Sequence, residues 1–177
     1  MKPTITICAA SLAPTCTAAV AAESGGPSDA QIAAIVVTAN QVDIDVGKLA
    51  SSNAQSEDVK EFGQRMVVDH TGVNQSAMDL VQKLHVTPEK NAASESLQKG
   101  GDENLATLKK LSGAAFDKAY VEHEVTYHET VLKALDDTLI PSAQNAELKA
   151  LLVKVRPAFQ SHLEHARAIQ SKLPSSQ

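Results

Sequence analysis

Apolar residues recur at intervals of three and four along four long stretches of the chain, and this spacing predicts four long helices. The first follows Ser28, whose pairing with Gln31 is typical of a capping box. Ser56 is predicted to cap the second, and Asn145 the last. Pro157 lies inside the last pattern and is expected to bend that helix without ending it. The predicted helices cover about residues 29–53, 57–84, 114–139 and 146–173.

The connections between these segments predict how the helices pair. Those after the first and third helices are short, so each is expected to join an antiparallel hairpin. The middle connection is long and polar, and a short extra helix is predicted after Asp102, with Leu105, Leu108 and Leu111 on one face. We therefore predict an all-α protein with a ferritin-like four-helix bundle and a short extra helix in the long connection.

The first residues differ from the rest. Lys2 is the only charged residue before Glu23, and a small and apolar segment ends in "AVAA". This pattern is typical of a secretory signal peptide, predicted at 1–22 with cleavage near Ala22, although an alanine-rich tail on a cytosolic protein is the alternative. A disordered linker at 23–28 and one domain at 29–177 would follow, in the periplasm or outside the cell.

The two cysteines and the overall charge exclude several classes. Cys8 and Cys16 both lie in the predicted signal peptide, so the exported protein would have no disulfide and no thiolate ligand. Lipid attachment at Cys16 is disfavoured, because "APTC" lacks a bulky aliphatic residue. The net charge is −5 without a basic run, which argues against nucleic acid, and no segment is suited to span a membrane. Phosphate-loop and nucleophile-elbow motifs are also absent.

Each long helix carries a polar residue within its apolar stripe, near the middle of the helix. These residues are Asp43, His70, His128 and His162, and Glu124 lies one turn before His128. Mid-helix positions of a bundle meet at similar heights, so the five side chains are predicted to converge. One unpaired buried polar group costs about 1–3 kcal/mol, so such a cluster needs mutual hydrogen bonds or a ligand.

Imidazole nitrogen together with carboxylate oxygen suits zinc, iron, copper or manganese. The alternative is a hydrogen-bonded network that fixes the register of the helices without a metal. His165 could assist as a ligand or support one, and Asp69 is expected to pair with Arg65 or to orient a histidine. Residues predicted to lie outside the site are Glu122 and His123, facing solvent, and His85, at a helix end.

Three stretches, "VKEFGQRMVVDHT", "LSGAAFDKAYVEHEVTYHETVL" and "ELKALLVKVRPAFQSHLEHA", resemble the bacterial domain of unknown function 4142 family over about residues 29–173. The resemblance implies an exported, ferritin-like helical bundle of the bacterial envelope. His70, His128 and His162 match the characteristic histidines of that family. Its first helix usually carries Glu where this chain has Asp43, which makes a ligand role for Asp43 less secure.

Three functions follow from these observations. The first is an envelope protein that binds one transition metal through the histidines above, with Asp43 or Glu124 assisting. Its role would be metal handling or stress tolerance. The second is a non-metal structural or interaction module, with an envelope protein or a second copy as partner. The third is a di-iron or superoxide-type oxidoreductase. It ranks last, because Val67, Val125 and Phe159 stand where Glu-x-x-His sites carry carboxylates.

Overall fold

The computed structural model describes residues 25–174, and this part of the chain is helical without a strand. The predicted signal peptide and Cys16 lie outside the described residues. Pro157 lies inside the last helix without ending it, as predicted. The helices are α1 (Asp29–Asn53), α2 (Glu57–Lys83), α3 (Ala92–Leu108), α4 (Gly113–Ala134) and α5 (Ala146–Lys172), and a π-helical turn (Leu135–Leu139) and a helical turn (Ile140–Ser142) extend α4.

The extra helix in the long connection differs from its prediction. It was expected to be short and to begin after Asp102, but α3 has 17 residues and begins after Asn91. The Asn91 side chain accepts a hydrogen bond from the Ser94 backbone N–H at 3.0 Å, and this capping box starts the helix eleven residues early. Gly101 lets α3 approach α1, because a Cβ there would lie 2.5 Å from Val42.

The helix ends show two of the three predicted side-chain caps. Asn145 caps α5, as predicted. Ser28 forms its capping box with Gln31, as predicted. Ser56 is the residue before α2, but its side chain makes no capping bond. Instead the carboxylate of Asp117 on α4 accepts hydrogen bonds from the Gln55 and Ser56 backbone N–H groups, at 2.9 and 2.7 Å.

The other hairpin turn is held in the same way. Asp29 on α1 accepts hydrogen bonds from the backbone N–H groups of Gln144 and Asn145, both at 2.9 Å. Each hairpin therefore contributes one acid to the turn of the other, and we call Asp29 and Asp117 the reciprocal clasps. Charge-assisted hydrogen bonds of this kind are stronger than neutral ones.

The helices pack as the predicted hairpins. α1 packs against α2 and α4 against α5, while α2–α5 and α1–α4 contacts join the two hairpins, and α3 lies mainly on α1. Gly47 and Gly63 allow α1 and α2 to approach closely, because a Cβ on either would lie 2.9 Å from the backbone oxygen of the other. No helix among residues 25–174 is both long enough and apolar enough to cross a lipid bilayer.

The bundle interior has two apolar cores separated by polar side chains. The aliphatic core includes Ile32, Leu139, Leu152 and Phe159, and the aromatic core includes Phe62, Met66, Phe116, Tyr120 and Ile169. Along α1, α2 and α4 the polar side chains occur between the two cores, and on α5 His162 lies next to Leu163, the last residue of the aliphatic core. We call this set the polar layer; it consists of Asn40, Asp43, His70, Glu124, His128 and His162, all at most 2% exposed.

Candidate metal centre

The three histidines of the polar layer meet in the bundle interior, as their helix positions predict. Their ring centroids are 5.7 Å apart for His70 and His128, 5.1 Å for His70 and His162, and 5.4 Å for His128 and His162. One nitrogen from each ring lies within 4.8 Å of the other two. Because three different helices supply the rings, backbone packing fixes their separation.

The protonation pattern of His70 follows from its neighbour Asn40. The His70 Nδ1 lies 2.7 Å from Asn40 Oδ1, and Asn40 Nδ2 donates to the Val36 carbonyl at 2.9 Å. Since the amide oxygen can only accept, His70 Nδ1 carries the proton. His70 Nε2 is therefore left with a free lone pair.

The other two histidines are held in the same way. His128 Nδ1 lies 3.0 Å from the Glu124 backbone oxygen, and His162 Nε2 lies 2.8 Å from Asp69 Oδ2. Both oxygens are acceptors, so these nitrogens are the protonated ones. Such support of the second nitrogen is typical of metal-binding histidines, because it fixes the ring orientation and increases the basicity of the ligating nitrogen.

The three remaining nitrogens have no hydrogen-bond partner. His70 Nε2, His128 Nε2 and His162 Nδ1 are each buried and unpaired. A buried polar atom without a partner costs about 1–3 kcal/mol. The layer thus combines three adjacent rings with one unpaired nitrogen on each, and imidazole nitrogen is a donor that divalent transition metals accept.

Two carboxyl groups adjoin the histidines. Asp43 Oδ2 lies 3.4 Å from His70 Nε2, and Glu124 Oε2 lies 3.4 Å from His128 Nδ1. Asp43, Glu124 and His128 form a second group whose ligand atoms all lie within 4.8 Å of one another. Asp43 Oδ1 and both Glu124 oxygens have no hydrogen-bond partner of ordinary geometry. The five residues predicted from sequence therefore lie together.

Burial controls the charge of the whole layer. It raises the pKa of Asp43 and of Glu124 well above their ordinary values, and the charge of Asp43 raises the pKa of Glu124 further. It lowers the pKa of His70 and His162, and lowers that of His128 to about 4. The layer therefore favours neutral groups until a cation balances the carboxylates.

Two tyrosines of α4 lie beside the acids. The Tyr120 hydroxyl is buried and unpaired, and its pKa is raised by burial and by the adjacent Glu124. The Tyr127 hydroxyl donates to the Ala39 backbone oxygen at 2.9 Å. Nothing in the sequence pattern alone associates these two rings with the site.

Asp69 connects the layer to the surface. It pairs with Arg65 at 3.3 Å, as predicted, and also holds His162. Arg65 Nη2 donates to Ser161 at 3.0 Å, and its Nη1 lies 3.4 Å from His165 Nδ1. His165 packs edge-on against Phe62 and belongs to neither group of converging donors among the described residues. It therefore lies on the flank of the site.

The residues predicted to lie outside the site show one correction. Glu122 is exposed, as predicted, but His123 is only partly exposed, because its ring stacks on Tyr127 with centroids 5.4 Å apart. Burial lowers the pKa of His123 to about 4. His85 ends α2 with a positive φ of 54°, and a Val86 N–H to Val81 oxygen bond at 2.9 Å closes that end.

Asn40 is the site residue that sequence reasoning missed. It lies three residues before Asp43 on the same face of α1, so its spacing was a usable signal. The partner of His70 depends on how α1 is rotated against α2, and one helix's periodicity does not define that rotation.

Comparison with known proteins identifies the family. No curated protein and no solved structure matches the chain. The family model described as "Domain of unknown function (DUF4142)" matches residues 14–169, in agreement with the resemblance seen in the sequence. The match covers most of the chain, including all five site residues, so the protein belongs to the DUF4142 family.

Proposed function

We propose that this protein binds one transition-metal ion in the polar layer through His70, His128 and His162. The observation that carries the proposal is the convergence of three buried imidazoles, with one nitrogen of each within 4.8 Å of the others. Each ring also has one unpaired nitrogen, while its other nitrogen is held by an oxygen. Asp43 or Glu124 would complete the coordination and balance the charge of the ion.

The donor set limits the metal to ions that accept nitrogen and oxygen. Zinc, copper, iron and manganese all do so, and no cysteine lies among the described residues to favour a softer ion. The histidines lie on α2, α4 and α5 and lack the Glu-x-x-His pairs of dinuclear ferritin-like sites. A mononuclear centre used for metal handling or stress tolerance, rather than rapid turnover, fits these residues best.

The protein's location and the finer classification of its fold belong to the same proposal. The pairing of two helical hairpins supports a ferritin-like four-helix bundle with α3 as an addition. The small and apolar residues before Glu23 support export to the periplasm or beyond. The bacterial envelope is where such a protein would meet metal ions, an envelope protein partner or a second copy of itself.

Metal content and thermal melting test the proposal. The protein purified from metal-replete cells should carry one ion per chain by mass spectrometry. The stripped protein should be stabilised by zinc, copper, manganese or iron, by about 2.7 kcal/mol at an ion concentration 100 times the dissociation constant. His128→Ala should lose both the ion and the stabilisation. His85→Asn is the matched control, since His85 is exposed and lies away from the layer.

The rival is a register network without metal. It draws support from the Asn40–His70 and Asp69–His162 bonds, which would persist in a purely structural layer. It requires that none of the four ions binds. It also requires that His128→Leu leaves the free energy of unfolding unchanged or raises it. That pair of results would reject the metal proposal.

A further inference from the structure

A small cavity lies against one side of the polar layer. It has a volume of about 50 Å³, and its walls are mainly aliphatic side chains from α1, α4, the π-helical turn and α5. We call it the inner chamber. Among its wall residues are Ile35, Val131, Leu139 and Val155. Native cores are packed to crystal density, so a cavity beside candidate ligands requires an explanation.

Three residues of the polar layer are among those that line the chamber, namely Asn40, Asp43 and His70. Asp43 and His70 each have a buried atom without a hydrogen-bond partner, Oδ1 and Nε2 respectively. Phe159 also lines the chamber and stacks on His70, with ring centroids 5.1 Å apart and planes 11° apart. A molecule in the chamber would therefore lie between an apolar wall and the histidine.

The outer end of the chamber meets a surface groove. The groove lies where α1, α3 and the π-helical turn approach one another, and it shares four wall residues with the chamber: Ile35, Leu97, Ala134 and Leu139. The groove is far larger, at about 520 Å³. A molecule that reaches the chamber from this side would pass between the shared residues, and we infer that the groove is the entrance.

The π-helical turn shapes this entrance. Its first and last residues, Leu135 and Leu139, are both buried and both line the chamber. On its outer side, Asp136 is held by Arg156 through two hydrogen bonds at 2.6 and 2.7 Å. π-helical turns are rare and occur frequently at functional sites.

We propose that the inner chamber is a binding site for one small uncharged molecule, of the size and polarity of a diatomic gas, held against His70 and Asp43. Only the role of this site rests on the metal-binding function, since the molecule would lie beside the ion; binding in the chamber does not. The first test therefore requires no metal. By volume the chamber is too small for a benzene-sized ligand, which needs about 150 Å³. Its aliphatic walls disfavour a charged one.

Xenon is the probe for the metal-free protein. Under xenon pressure, NMR spectra of the full chain should show saturable shifts of the Val131 and Val155 methyl groups and of the His70 ring. Absence of saturable shifts, or shifts spread over the whole core, would overturn the proposal. So would water-to-methyl cross-peaks at Val131 that persist under xenon, since they would show a chamber filled with water.

Two variants test the entrance. Ala134→Phe places a ring where groove and chamber meet, and should slow xenon exchange about tenfold. Ala150→Phe adds the same ring to an exposed site on α5 and should leave exchange unchanged. Equal rates of xenon exchange in the two variants would show that the groove is not the entrance to the chamber.

An experiment with the iron(II)-loaded protein distinguishes the metal-centre proposal from the chamber proposal. Nitric oxide added to the iron(II)-loaded protein should give an iron–nitrosyl spectrum, formed more slowly in Ala134→Phe than in Ala150→Phe. Xenon binding without any metal uptake would reject the proposed function and leave the chamber as a site. Iron uptake without a nitrosyl spectrum or xenon shifts would reject the chamber and keep the metal centre.

Discussion

Asp43 and Asp117 are carboxylates buried to the same degree, each 2% exposed, yet their surroundings differ completely. Asp117 accepts two backbone hydrogen bonds at 2.9 and 2.7 Å, so it holds the turn before α2. Asp43 accepts no hydrogen bond at Oδ1 and faces the unpaired nitrogen of His70. A buried acid with backbone donors is explained by the fold, whereas one beside converging lone pairs requires a cation or a proton.

The same contrast separates the two levels of the bundle. In the aromatic core, Phe62, Phe116 and Tyr120 pack with centroid distances of 6.2 and 6.3 Å, and burial of apolar surface stabilises the fold. In the polar layer, burial raises the free energy of every unpaired atom. The same helices thus stabilise the fold at the aromatic core and carry the candidate binding site at the polar layer.

The largest expected effect is at the structural acid. Asp117→Ala should lower the free energy of unfolding by about 3–5 kcal/mol, because two hydrogen bonds to a buried carboxylate are lost. The loss should be equal with and without metal in denaturant titrations. Asp136→Ala, which removes an exposed pair with Arg156, is the control and should cost at most about 1 kcal/mol. If the loss of unfolding free energy in Asp117→Ala depended on metal, Asp117 would belong to the metal site and its contrast with Asp43 would be wrong.

The pH dependence of His128 comes next. Its pKa falls from an ordinary 6.5 to about 4 in the folded protein, so between these values the unfolded state binds the extra proton. The metal-free protein should lose about 3 kcal/mol relative to His128→Leu as the pH is lowered from 7 to 4. Asp43 and Glu124 act in the opposite direction but are present in both proteins. Parallel stability curves in urea would contradict this prediction.

Removal of the oxygen behind a histidine should have a smaller effect, on binding alone. Asp69→Ala leaves His162 without its 2.8 Å partner, and metal affinity should fall about 10–100-fold. Metal titration by calorimetry measures this change. Asp79→Ala, an exposed acid of the same helix, should bind metal like the unmodified protein. An unchanged affinity in Asp69→Ala would show that His162 needs no support.

The smallest expected effect is at the site acid itself. Asp43 has a raised pKa, so its contribution to stability is present at low pH and is lost as the pH rises through that raised value. Asp43→Asn should therefore stabilise the metal-free protein at pH 8 by about 1 kcal/mol, and not at pH 4. Asp45→Asn, at a half-exposed position, is the control. Destabilisation at pH 8 would place Asp43 with Asp117 as a structural acid.

Sequence pattern was sufficient for the features that depend on one helix at a time. The four long helices and the five polar side chains on their apolar faces follow from spacing alone. Features that depend on the relation between helices did not follow. The Asn40–His70 bond, the Asp117 clasp and the stacking of His123 on Tyr127 need a known rotation and register of two helices or a side-chain rotamer.

The start of α3 was missed for a different reason. The part of α3 that was not predicted is polar and contains two adjacent glycines, at 100 and 101, and glycine weakens an isolated helix. In the protein, Gly101 is the position where α3 meets Val42 of α1, so tertiary packing compensates for the low propensity.

The reciprocal clasps have a consequence for how the chain reaches its fold. Each clasp joins residues far apart in sequence, 62 positions for Asp117 with Gln55 and 115 for Asp29 with Gln144. Each hairpin turn takes one hydrogen-bond acceptor from the other hairpin, so the clasps can form only after the two hairpins have docked. Contacts between distant residues slow folding. The hairpins should therefore form early and the clasps late, and the centre between them should be assembled only when the two halves of the chain have met.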